Sequence, residues 1–332
     1  MKKINFFIFL IVILIVSLIF SIMFGGVSIS FKDVIYTIFH PKIVDSNQTI
    51  IWKIRIPRVI LGLFIGAGLA VSGCVFQGML RNPLADPYTL GVSGGAALGA
   101  SIGIIFRFEK FLGYYGLPLF AFIGAFISIS LIYLLALRRN LSVTTLILIG
   151  VVLSFLFSAI VTLILSVSDP QKVHLTIIWL MGDLSLADSG LILPVSLFVI
   201  PGILILFLFS RDMDLLTLGE EKARHLGVDV KLIRRVLFLF SSIITGACVS
   251  SSGIIGFVGL MVPHFIRGFT GPGHRILLPA SAIGGAILLV LADTLARTII
   301  SPLELPVGVI TGIFGGIFFL IFFLRSKRKE IF

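Results

Sequence analysis

Apolar runs near twenty residues long alternate with short polar breaks along almost the whole chain, and this alternation predicts a bundle of membrane-crossing helices. The runs fall at roughly 6–27, 58–80, 90–106, 114–137, 144–166, 191–210, 233–251, 254–270, 276–300 and 306–325. Helices of such length are suited to a hydrocarbon layer of ~30 Å. The first run is too long for the ~7–15-residue apolar stretch of a secretory leader, and no A-x-A-like site follows it, so it reads as a span. The longest polar interruption, 211–231, is too short to be a second domain. The pattern therefore predicts one all-α polytopic membrane domain over 1–332, with about ten spans.

Composition agrees. Of 332 residues 58% are hydrophobic and 12% charged, about half the charge of a soluble domain. The net charge of +11 raises the question of nucleic acid, but a bias of Lys and Arg toward the cytoplasmic loops explains it without that partner. With the N-terminus inside, the inner segments collect 17 of 26 basic and 7 of 15 acidic residues, net charges of +10 inside and +1 outside. The expected topology is multi-pass with both termini cytoplasmic. Cys74 and Cys248 sit in apolar runs without metal-ligand spacing and read as packing residues.

Against that bias, Arg55 and Arg58 stand outside, at the mouth of the second span in the stretch IRIPRV. Pro57 between them favours a helix start, because proline in a first turn forfeits no hydrogen bond. Snorkelling toward lipid phosphate is one reading of the pair. Arg297 is a third outward arginine, spaced i,i+4 from Asp293 so that the two pair on one helix face, and Glu304 follows. The small residues Gly91, Ser93, Gly94, Gly95, Ala96 and Gly99 suit close helix packing. They also spell G-x-S-x-G, which with His264 raises an intramembrane serine protease as an alternative. An ion-coupled secondary transporter is another, with Asp293 its candidate midplane acid. Facing the cytoplasm, residues of about 212–228 form two short helices punctuated by Gly219 and Gly227. Leu215, Leu216, Leu218, Ala223 and Leu226 serve as apolar anchors there, while Glu220, Glu221, Lys222 and Arg224 face water, a pattern suited to docking a soluble partner. No G-x-x-x-x-G-K-[ST] occurs, so the chain binds no ATP through a P-loop. No cofactor is implied.

Four blocks together resemble the FecCD family of ABC importer permeases: RIPR with LGLFIGAGLAVSGCVFQGMLRNPLADPYTLGVSGGAALGA, LGEEKARHLGV, GFVGLMVPHFIR with GHRILLPASAIGGA, and ADTLAR with ELPVGVITGIFGGIFFL. The resemblance runs from about residue 50 to the end of the last span. It implies a permease of a bacterial or archaeal cell membrane that is no enzyme itself. Two cytoplasmic P-loop ATPase subunits, an external substrate-binding protein, and a homodimer or paired homologue would complete it. Iron-siderophore, haem and cobalamin are the implied substrates, in that order. By the same resemblance Arg55, Arg58 and Arg297 dock glutamates of the binding protein. Leu215, Leu218, Gly219, Glu220, Glu221, Ala223, Arg224, Leu226 and Gly227 belong to the coupling helices in the ATPase cleft. Ser142, Val143 and Thr144 lie at the cytoplasmic gate, Val143 where the cobalamin permease is polar.

Overall fold

In a computed structural model, residues 3–40, 45–137, 142–185 and 188–325 are described, and among them the chain is helical with no strand. In chain order the helices are α1 (Lys3–Met23), α2 (Phe31–Phe39), α3 (Ser46–Thr49), α4 (Ile56–Leu80), α5 (Val92–Ile105), α6 (Glu109–Leu112), α7 (Gly116–Leu137) and α8 (Val143–Ser166). There follow α9 (Pro170–Leu180), α10 (Ser189–Leu208), α11 (Ser210–Thr217), α12 (Glu220–His225), α13 (Val230–Ser252), α14 (Val258–Thr270), α15 (His274–Thr298) and α16 (Val307–Arg325). Eight helical segments among the described residues are long and apolar enough to cross a membrane. The chain is a multi-pass membrane protein.

Two of the ten expected spans are shorter than the periodicity suggested. α5 has 14 residues and α14 has 13, so each is about 20 Å long and falls short of a ~30 Å layer. Each is preceded by unwound backbone. Before α5 the Pro83–Pro87 stretch opens the chain and Asp86 caps a 3-10 turn by accepting from the Tyr88 N–H at 2.9 Å. Before α14 the segment 253–257 carries left-handed φ at Gly253 and Phe257. Unwound backbone in a membrane protein needs protein partners, and here the two breaks supply one another: the Ile255 N–H donates to Tyr88 Oη at 3.3 Å. The Phe257 ring fills a notch at Gly315 of α16, where a Cβ would come within 2.3 Å of it.

α4 is the central element, buried along nearly its whole length. Close approach is possible because glycine faces glycine. A Cβ at Gly66 would stand 2.3 Å from the Gly285 carbonyl of α15, and one at Gly73 only 1.9 Å from the Gly259 carbonyl of α14. The expected small-residue packing of α5 also holds: Gly95 and Gly99 meet the backbone of α7 at Gly124 and Phe120. Two helices escape the hydropathy reading. α2 starts behind Ser30, whose hydroxyl accepts from the Asp33 N–H, and α9 starts at Pro170 behind Asp169.

Candidate functional site

Three arginines converge at one end of the bundle. A π-helical turn, Ile50–Arg55, leads directly into α4 and sets Arg55 just before Arg58 in the first turn. Arg58 grips Asp293 of α15 with Nε at 2.9 and 3.0 Å from its two carboxylate oxygens and Nη2 at 2.8 Å. Its Nη1 reaches Glu304 at 2.6 Å, and Asp183, ahead of α10, lies 4.0 Å from Nη2. Arg297 holds the other Asp293 oxygen at 3.1 Å, the i,i+4 pair the spacing predicts, and donates to the Ser21 hydroxyl and carbonyl of α1. Arg55 donates to the carbonyls of Ile22, Met23 and Val27.

This corrects the expected outward positive surface. Arg55, Arg58 and Arg297 are each only 3% exposed, and the cations of the cluster are balanced by Asp293, Glu304 and Asp183. Desolvating a guanidinium is costly unless it is paired and hydrogen-bonded, which is why each head turns inward onto this chain's own acceptors. Glu304, whose side chain is 39% exposed, is the wet edge of the cluster. Snorkelling fails for the same reason, since none of the three heads reaches the surface.

At the opposite end of α4 lies the predicted pair of short helices, α11 and α12. Gly219, at φ +114°, separates them, and Gly227, at φ +85°, closes α12, both in the left-handed region that favours glycine. The anchors sort differently from the expectation. Met213, Leu216 and Ala223 are buried and Leu215 is half-buried, but Leu218 and Leu226 are 57% and 59% exposed. An apolar residue in a polar segment does not reveal which way it points; helix geometry turns these two outward. Glu221, Lys222 and Arg224 face solvent as expected, whereas Glu220 turns inward to pair with the buried Arg234 of α13. Asp214 of α11 bonds to His274, the first residue of α15.

Ser142 caps α8, its Oγ accepting from the Thr145 N–H at 3.3 Å and lying 2.6 Å from Thr145 Oγ1. Val143 packs on the core and Thr144 is exposed; the flanking 138–141 lie outside the described residues. The protease dyad does not form. Ser93 Oγ donates to the Tyr88 carbonyl at 3.5 Å, and His264 is packed among Phe318, Phe319 and Phe322 of α16. Among the described residues no cluster of His, Cys, Asp or Glu could hold a metal.

The residues that sequence reasoning missed are partners rather than motifs: Ser21, Asp183, Asp214, Arg234 and His274. The Arg58–Asp293 contact spans 235 residues, and no local periodicity carries such information.

Comparison with known proteins gives a consistent result. The sequence profile of the FecCD transport family matches residues 13–325. The hemin transport system permease protein HmuU of Yersinia pestis is 40% identical over 298 residues, 89% of this chain and 88% of that protein. The cobalamin import system permease protein BtuC of Halobacterium salinarum is 43% identical over 257 residues, 76% of this chain and 68% of that protein. Among solved structures, a metal-chelate type ABC transporter in an inward-facing conformation superposes with a TM-score of 0.86 at 33% identity, covering 96% of this chain and 98% of that one.

Proposed function

The chain belongs to the FecCD transport family and is a transport permease subunit that leaves ATP hydrolysis to a partner; from this premise we propose that it imports an iron-siderophore, haem or cobalamin. An external binding protein would deliver the substrate, and two ATPase subunits would drive a homodimer or a pair of homologous permeases. Both termini face the cytoplasm, as the charge bias supports. The observation that carries the reading is the α11–α12 segment: a short helical pair, braced at Asp214 and Glu220, that turns Leu218 and Leu226 out to solvent. Exposed leucines on a braced support suit insertion into a cleft of a soluble partner. ATP binding would draw the ATPases together, and the segment would pass that motion to α4, α13 and α15, to which it is tied. No covalent chemistry is asked of the permease.

Docking of the binding protein at the arginine end takes a form consistent with burial. A carboxylate from the binding protein would displace Glu304, the exposed partner, from Arg58 Nη1, while Asp293 and Asp183 stay in place as the cluster's remaining anions. Ser142, Val143 and Thr144, at the start of α8, are the proposed inner gate.

Proteoliposomes test the reading. The chain, co-purified with its ATPase, should take up labelled ferric siderophore, haem or cobalamin only with ATP and the binding protein. Uptake driven by a proton or sodium gradient without an ATPase would support the secondary-transporter reading instead. That reading has against it that Asp293, its candidate coupling acid, is held between two arginines.

A further inference from the structure

α15 begins at His274 directly after Gly273, which has no side chain to cap the helix. The first N–H groups of a helix lack acceptors within it. Here the acceptor comes from a different element. Asp214 Oδ1 of α11 receives the His274 backbone N–H at 2.8 Å, and the same oxygen lies 2.6 Å from the ring Nδ1. An ionised carboxylate only accepts, so Nδ1 carries the ring proton and Nε2 is bare in the neutral imidazole. Nε2 is buried, has no partner among the described residues, and lies against Gly78 of α4, where a Cβ would come within 2.6 Å of it. The ring is 2% exposed, wedged between α4 and α11. Burial tends to raise the Asp214 carboxyl, but the hydrogen bonds from His274 outweigh this and hold it below the usual carboxylate range.

We propose that His274 is the positioning residue that sets the register of α11 on the bundle, so that displacement of the α11–α12 segment is transmitted to α4 and α15 through its two-pronged bond to Asp214. The inference rests on the coupling reading of that segment. Among the described residues Glu220 with Arg234 ties α12 to α13, whereas His274 joins α11 to α15 and α4, the two helices of the arginine cluster. A donor at the position of Nδ1 is what the site requires; a donor at the position of Nε2 would face Gly78 with nothing to accept it.

The test uses the complete transporter in proteoliposomes, with ATP hydrolysis and substrate uptake measured side by side. His274→Asn carries an amide N–H near the position of Nδ1, and His274→Gln near that of Nε2. Asn should keep uptake per ATP within about twofold of wild type. Gln and Ala should lower it about tenfold with hydrolysis retained, as loss of one partly buried bond to a carboxylate implies. Retained coupling in the Gln or Ala variant, or lost coupling in the Asn variant, overturns the proposal. A parallel fall of assembly, hydrolysis and uptake also overturns it, because His274 would then only stabilise the fold. The premise has its own readout: Leu218→Cys in the otherwise wild-type chain should cross-link to the ATPase, and failure there removes the coupling reading however the His274 variants behave.

Discussion

Asp293→Asn should be the most damaging single change in the arginine cluster. Asp293 is 2% exposed and is the carboxylate that two buried guanidiniums share. Neutralising it leaves Arg58 with Glu304 and the distant Asp183, and leaves Arg297 with uncharged acceptors on Ser21 and Thr294. Breaking a buried pair so that a charge stays behind costs about 3–5 kcal/mol. In a chain of this size that is a fall in the unfolding midpoint on the order of 5 °C. Glu304→Gln should cost far less, about 0–1 kcal/mol, because that carboxylate is partly in water. The double change Asp293→Asn with Arg297→Met should recover much of the loss, since it removes the stranded cation together with its partner. The assay is thermal unfolding in nanodiscs, followed by loss of the monodisperse peak, for these three variants, Arg297→Met alone and wild type. Wild-type stability in Asp293→Asn, or strict additivity in the double variant, would refute the idea that the cluster is an internal charge balance.

Further expectations concern the other sites. Leu218→Asp together with Leu226→Asp should abolish co-purification with the ATPase while membrane insertion and yield stay at wild-type levels; undiminished co-purification would remove these leucines from the docking surface. Ser93→Ala should transport like wild type, because among the described residues its hydroxyl makes a single long bond, to the Tyr88 carbonyl; a dead but assembled variant would restore a chemical role to that oxygen. Burial pushes the Asp86 carboxyl from an ordinary 3.8 up to about 6. A raised folded-state value means that the contribution to stability is fully present below about pH 4 and lost as pH rises through about 6. Asp86→Asn, which keeps an acceptor for the Tyr88 N–H, should therefore raise the unfolding midpoint at pH 8 and leave it unchanged at pH 4; an equal shift at both would exclude titration as the cause.

Much of this architecture was legible from hydropathy alone because long lipid-facing helices must be apolar over their whole length. α1, α7, α8, α10 and α16 carry that signal plainly. α5 and α14 carry it too, yet apolarity records the environment of a segment and not whether its backbone stays helical, so the unwound residues 254–257 fall inside the expected span 254–270. α9 was missed because Gln171, Lys172 and His174 interrupt its apolar pattern. At the sites, local rules worked where the physics is local: Gly219 and Gly227 mark the ends of the short helices, and Asp293 pairs with Arg297 one turn away. They failed where partners lie far apart in sequence. Nothing near Arg58 foretells Asp293 or Glu304, and nothing near Asp214 foretells His274.

The glycine crossing of α4 with α15, and the shared carboxylate at its end, also constrain how such chains can be recombined. Residue Gly66 has to find a glycine carbonyl opposite, and two arginines from different helices have to find one aspartate in register with it. A chimera that takes 56–80 from one relative and 274–304 from another inherits two halves of a lock cut to different keys, even where each half is individually sound. Library crossovers in this scaffold should therefore come in pairs, both joints falling between 80 and 274, so that the two segments come from the same parent.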